Sequence, residues 1–140
     1  MNKGLIETYY AKENGYHPFF IREHWQVAQL NYLPSLAFTG IERVERHKHT
    51  DEIFVLTKGK AVLIGAVVDN KQTDFECILM KQGVTYNIPG NAWHMIAMSE
   101  DAEVIIVEKS NTHLNDVTYH YLTDMDRFKL KLQILQLVSD

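Results

Sequence analysis

Cysteine is almost missing from this chain: Cys77 is the only one in 140 residues. No intramolecular disulfide can form, so the cross-links that stabilise small secreted domains are excluded and a reducing compartment is expected. A basic excess is missing as well, since 14 Lys and Arg face 18 Asp and Glu, for a formal charge of −4. Without a positive field nothing draws the chain onto phosphate backbones or anionic lipid, and neither nucleic acid nor a membrane is an expected partner. Long apolar runs are lacking too. The longest, 61–68, is interrupted by Gly65 and is far too short to cross a bilayer as a helix. The stretch from Met1 to Phe20 carries Glu7, Lys12, Glu13, Asn14 and His17 where an export signal needs an unbroken apolar core, so a cytoplasmic location is the expectation. There are no internal repeats, low-complexity tracts or linker-like segments.

What is present is a globular balance, 46% hydrophobic and 23% charged, which suffices for a packed core. The length suits one domain over residues 1–140, because single cores usually organise roughly 100 to 200 residues. Turn-forming residues cut the middle of the chain into short runs rich in Val, Ile, Phe, Tyr and Thr, which read as strands. The runs are 25–33, 40–48, 52–57, 60–68, 74–80, 85–88, 93–98 and 103–109, and their breaks include Lys58-Gly59, Asp69-Asn70, Gln82-Gly83 and Pro89-Gly90-Asn91. Eight such segments predict an all-β sandwich or barrel with its core at about 25–110. Leu5 to Asn14 has Tyr9, Tyr10 and Glu13 at helical spacing, a pattern too sparse to assign. Residues 124–138 contain no Gly or Pro and space Phe128, Leu132 and Leu135 at i, i+4 and i+7. That predicts a C-terminal amphipathic helix packed on the barrel or on a partner subunit. Thr123 followed by Asp126 forms a capping box with aspartate in the place of glutamate. Asp124, Asp126 and Asp140 offset the helix lysines, which argues against membrane binding.

The histidines cluster. His47 and His49 stand two apart at the end of one run, and Glu52 opens the next. In an extended strand residues i and i+2 share a face, so both imidazoles would converge on one point inside a barrel. Glu52 is offset by an odd number and needs a turn or bulge around Thr50-Asp51 to return to that face. A further nitrogen comes from His94, which follows the Pro89-Gly90-Asn91 turn. Three imidazoles and a carboxylate suit a borderline divalent ion at about 2.0 to 2.2 Å, whether Zn, Fe, Mn or Ni. For an isolated His-x-His pair a solvated polar loop is the blander explanation; here the pattern spans two separated stretches of chain.

These stretches resemble the two motifs of the cupin superfamily. The first motif joins an His-x-His pair to a glutamate, six further residues and a glycine, and His47-Lys48-His49, Glu52 and Gly59 are similar to it. The second is a glycine, five residues, a proline and a histidine five positions beyond, which Gly83, Pro89 and His94 match. The resemblance implies a double-stranded β-helix barrel and a metal held by His47, His49, Glu52 and His94. The spacing departs from the family, where three or four residues usually separate the second histidine from the glutamate; here only Thr50 and Asp51 do. If His47 takes the place of the second histidine, the family spacing is restored, Glu45 falls at the position of the first, and His49 becomes a rim residue. The family's trailing asparagine is Met98 here. The segment Tyr86 to His94, followed by Val104 to Glu108, is also similar to ureidoglycolate lyases and related small cupins.

Alternation puts Phe54 and Leu56 inward with Glu52, and Ile96 and Met98 inward with His94. An apolar cavity with a few polar groups is the general form of a small-molecule site. Glu108 closes an apolar strand and is a candidate general base or ligand partner if it points into the mouth. Tyr86 is a second catalytic candidate, and with Trp93 it is placed to stack on a ligand. His17, His24, His113 and His120 have no partner at ligand spacing and are expected at the surface. Three functions follow: a metal-dependent lyase or isomerase on a small hydroxylated or carboxylated metabolite, an iron-dependent dioxygenase, or a non-catalytic binder of a sugar or other effector. No DNA-binding segment is visible beside the barrel, which argues against a regulator. Open strand edges favour a homodimer.

Overall fold

Side chains of a strand alternate between two faces, so a chain of short apolar-alternating runs can bury itself only by laying one sheet on another. The computed structural model describes residues 4–139; Asp140 lies outside them. Ten strands occur among the described residues: β1 (Gly15–Ile21), β2 (Gln26–Asn31), β3 (Arg43–Arg46), β4 (Glu52–Lys58), β5 (Ala61–Val68), β6 (Thr73–Leu79), β7 (Thr85–Ile88), β8 (Trp93–Met98), β9 (Glu103–Glu108) and β10 (Thr118–Tyr121). They form two antiparallel five-stranded sheets, ordered β1-β2-β9-β4-β7 and β10-β3-β8-β5-β6. Consecutive strands β3 and β4 lie in different sheets, as do β8 and β9, so the chain winds between layers.

The expectation of eight strands is corrected to ten. β1 was hidden by Pro18, which an edge strand tolerates because its N–H position need not pair; the register slips between Pro18 and Phe20. β10 is only four residues long and pairs with β3 from Thr118↔Arg46 to Tyr121↔Arg43. Residues 7–12 adopt no regular structure. That segment is fixed from outside the first sheet instead, where Gln29 and Asn31 donate to the Ala11 carbonyl at 2.8 and 3.1 Å.

Between the sheets lies a core of Leu30, Phe54, Leu56, Leu63, Ile96, Met98, Val104 and Ile106, so the expected inward set of Phe54, Leu56, Ile96 and Met98 is buried. A second core forms on the opposite face of β3, β5 and β8, from Val44, Val62, Ile64, Met95 and Ala97 against Leu130 and Ile134. Two α-helices occur among the described residues, the single turn α1 (Thr112–Asn115) and the 15-residue α2 (Asp124–Val138). Thr123 caps α2 by accepting the Asp126 N–H at 3.1 Å. The Asp126 carboxylate does not close a capping box; it accepts the Thr73 N–H at 3.2 Å, tying the helix to the start of β6. This rotates Leu130 and Ile134 inward and leaves Phe128, Leu132 and Leu135 exposed at 58%, 51% and 37%, a reversal of the expected buried stripe. No helix is long and apolar enough to cross a membrane among the described residues.

The two motif glycines sit at tight turns. Gly59 has φ +75° and Gly83 φ +80°, in the left-handed region that glycine enters freely. At Gly59 a Cβ would also lie 2.7 Å from the Ala102 Cα, so the turn from β4 to β5 requires the absence of a side chain.

Candidate metal centre and its cavity

The winding of the chain places a strand from each motif in each sheet. In one sheet Glu45 of β3 is directly opposite His94 of β8; in the other Glu52 of β4 is directly opposite Glu108 of β9. His47 follows the end of β3. All five side chains therefore reach the space between the layers. His94 Nε2 lies 2.8 Å from Glu52 Oε1, and His47 Nε2 lies 3.0 Å from the same oxygen and 3.3 Å from Glu45 Oε2. The two imidazole centroids are 5.1 Å apart.

The opposite ring nitrogens are spoken for. His47 Nδ1 is 2.7 Å from the Asp116 carbonyl and His94 Nδ1 is 3.0 Å from the Ala92 carbonyl. A carbonyl oxygen only accepts, so each Nδ1 carries the proton and each Nε2 is aimed at the shared centre. Glu45, His47 and His94 offer ligand atoms that all lie within 4.8 Å of one another, and so do His47, Glu52 and Glu108. Imidazole nitrogens turned inward by backbone acceptors, with carboxylates between them, fit a divalent cation.

His49 is not in this group. The strand ends at Arg46, and the chain bends at Lys48 and His49, so the rule that i and i+2 share a face no longer applies beyond His47. The Asp116 carboxylate accepts the backbone N–H of both Lys48 and His49 at 2.9 Å, which fixes the bend and leaves the His49 side chain exposed. The structure follows the other register, with Glu45 beside His47. Tyr86 is also elsewhere: its ring packs against the inter-sheet core and its hydroxyl accepts the Lys81 N–H at 3.0 Å. It lines a separate groove with Trp93.

Electrostatics follow from crowding acids and imidazoles in a dry place. Burial opposes charge on His47, but the Glu45 and Glu52 carboxylates outweigh it and raise its pKa to about 11. Burial likewise opposes charge on His94 and Glu52, yet the contact with Glu52 raises His94, and His47 together with His94 lowers Glu52. Glu108 goes the other way. Burial, then the charge of Glu52, raises it to about 7. Its Oε2 accepts from the Tyr16 hydroxyl at 2.6 Å and from Gln26 Nε2 at 3.2 Å, whereas Oε1 is buried without a hydrogen-bond partner among the described residues. Gln26 is itself oriented, because its Oε1 accepts the Asn111 N–H at 2.8 Å.

The centre opens into a cavity of about 620 Å³, walled by Leu30, Phe54, Ile96 and Ile106, with Arg43, Tyr119 and Tyr121 also lining it. Sequence reasoning missed several residues here. Gln26 alternates inward with Ala28 and Leu30, a polar side chain in an apolar register, and that was the available signal. His113, expected at the surface, lines the cavity and its Nδ1 meets Gln26 Nε2 at 3.0 Å. Tyr16 belongs to the strand hidden by Pro18.

Comparison with family models returns no match, and neither does comparison with curated proteins. Solved structures do match. Protein BH2720 from Bacillus halodurans is 15% identical over 79% of this chain and 80% of its own, with a TM-score of 0.55. Protein NMB1881 from Neisseria meningitidis is 15% identical over 71% and 89%, with a TM-score of 0.53. A cupin-2 domain containing protein from Shewanella frigidimarina is 18% identical over 71% and 84%, with a TM-score of 0.48. The chain shares its two-sheet β fold with the first two of these structures. At these identities the likeness concerns shape, and the chemistry has to be argued from the side chains present.

Proposed function

We propose that this chain is a cupin, and a metal-dependent lyase or isomerase acting on a small hydroxylated or carboxylated metabolite, of which ureidoglycolate is one candidate. The observation that carries the reading is the pair of Nε2 atoms, His47 and His94, turned by backbone carbonyls onto one carboxylate oxygen of Glu52 at 3.0 and 2.8 Å. Glu45 offers a carboxylate beside both imidazoles, and Glu108 stands beside His47 and Glu52. A divalent cation bound there would supply Lewis acidity to polarise a carbonyl or chelate neighbouring oxygens.

The remaining work falls to the chain. Tyr16 and Gln26 hold one oxygen of Glu108, leaving Oε1 to take a proton from a ligand or return it. The side chains of Leu30, Phe54, Ile96 and Ile106 line the cavity, and apolar surroundings strengthen the polar contacts made beside them. A second reading, a binder of a sugar or other effector, is favoured by the ion pairs that already satisfy Glu52 from both sides.

Elemental analysis of the purified protein should find close to one transition metal per chain. His47→Ala and His94→Ala should lose it, while Glu108→Gln should retain metal and lose turnover. Equal metal content in wild type and both histidine variants sinks the metal reading. Turnover is then sought with ureidoglycolate and a panel of sugar acids. Thermal stabilisation by one of these compounds without turnover favours the binder.

A further inference from the structure

Arg43, Glu45 and His47 alternate along one face of the chain, so Arg43 stands two residues up the same cavity wall from the donor cluster. Its partner in the strand register is Tyr121, directly opposite. The guanidinium does not lie straight across, however. Its centre is 3.8 Å from the ring centroid of Tyr119 and 5.8 Å from that of Tyr121. Tyr119 is the residue opposite Glu45. The arginine therefore leans diagonally along the strand toward the cluster, while its Nη1 donates to the Tyr121 hydroxyl at 3.0 Å.

Among the described arginines, Arg22 and Arg127 pair with carboxylates, whereas Arg43 and Arg46 stack on the rings of Tyr119 and Trp93. Arg22 lies beside Glu7, and Arg127 beside Glu42 and Asp124. Arg43 has no carboxylate within 4.0 Å among the described residues, although Glu42 and Glu45 are its chain neighbours. Its position comes from aromatic stacking and one hydroxyl, which hold a guanidinium without neutralising it. A planar fork with unspent donors facing a cavity matches a carboxylate. Glu42, Glu45, Glu52 and Glu108 already line that cavity, and their field favours a singly charged group over a dianion.

We propose that Arg43, stacked on Tyr119, is a carboxylate-binding subsite, and that the ligand carries a carboxylate at the cavity mouth and oxygen ligands at its inner end. This rests on the reading of the cavity as a small-molecule site and narrows it to acids. The monoacids 4-hydroxybutyrate, 3,4-dihydroxybutyrate and 4-oxopentanoate are suitable probes, each beside its neutral amide, titrated by calorimetry into the purified protein. At least one acid should bind, and its amide more weakly. Arg43→Met should lower that affinity roughly ten- to hundredfold, Arg43→Lys should recover part of it, and Tyr119→Leu should weaken the same acid with Arg43 intact. Metal content and melting temperature of the variants should match wild type, which separates loss of a contact from loss of the fold. Equal affinity in wild type and Arg43→Met overturns the subsite, as does failure of every acid to bind. Binding that depends on Arg43 in a protein without metal supports the subsite while sinking the metal reading.

Discussion

His47 reaches the centre because Asp116 holds it twice over. The Asp116 carbonyl takes the Nδ1 proton, and the Asp116 carboxylate fastens the backbone that carries the ring, accepting from Lys48 and His49. Burial slightly disfavours the charge on this carboxylate, but the two N–H donors win and hold its pKa below the ordinary aspartate value. His49 contributes only its N–H. Two substitutions thus separate the roles. Asp116→Ala keeps the carbonyl but releases the bend that carries the ring, and should weaken metal affinity by up to about tenfold, the low end of what loss of a ligand-orienting partner costs, whereas His49→Ala should leave it unchanged. Competition with a chromophoric chelator measures both, and a loss of affinity in His49→Ala would restore that imidazole to the site.

α2 carries apolar residues on two faces, with Met125, Phe128, Leu132 and Leu135 on one and Leu130, Ile134 and Leu137 on the other. Periodicity alone cannot choose between them. The choice is made by Asp126, which must reach the Thr73 N–H and so turns Leu130 and Ile134 onto the sheet. Leu130→Ala should then destabilise the protein by about 2–5 kcal/mol, and Leu132→Ala by about 0.5 kcal/mol or less; urea denaturation reads both, and a larger loss at Leu132 would mean the helix packs the other way. The same logic marks what the sequence discloses elsewhere. β7 and β8 are legible to the residue because turn-formers bound them on both sides. β1 is not, since Pro18 contradicts a strand unless its place at the sheet edge is already known. His94, Glu52 and His47 are legible from motif spacing. The exclusion of His49 depends on where the strand stops, and Arg43, Gln26 and Asp116 depend on pairings between distant segments.

The donor cluster joins the two layers of the molecule. Glu45, His47 and His94 come from the sheet that carries α2, and Glu52 and Glu108 from the sheet that faces it. Three carboxylates so close together repel one another, and the ion pairs with two imidazoles only partly offset that. A cation coordinated by both sets would bridge the sheets, so its binding free energy would add to the stability of the whole fold rather than to one loop. With free metal at about 100 times its dissociation constant the gain is roughly 2.7 kcal/mol, or roughly 5–10 °C in Tm for a chain of this length. Calorimetric melting with added metal and after chelation should show that difference, and His47→Ala should abolish it. Identical melting curves for the loaded and stripped protein would mean that the carboxylates and imidazoles do not share a cation across the sheets.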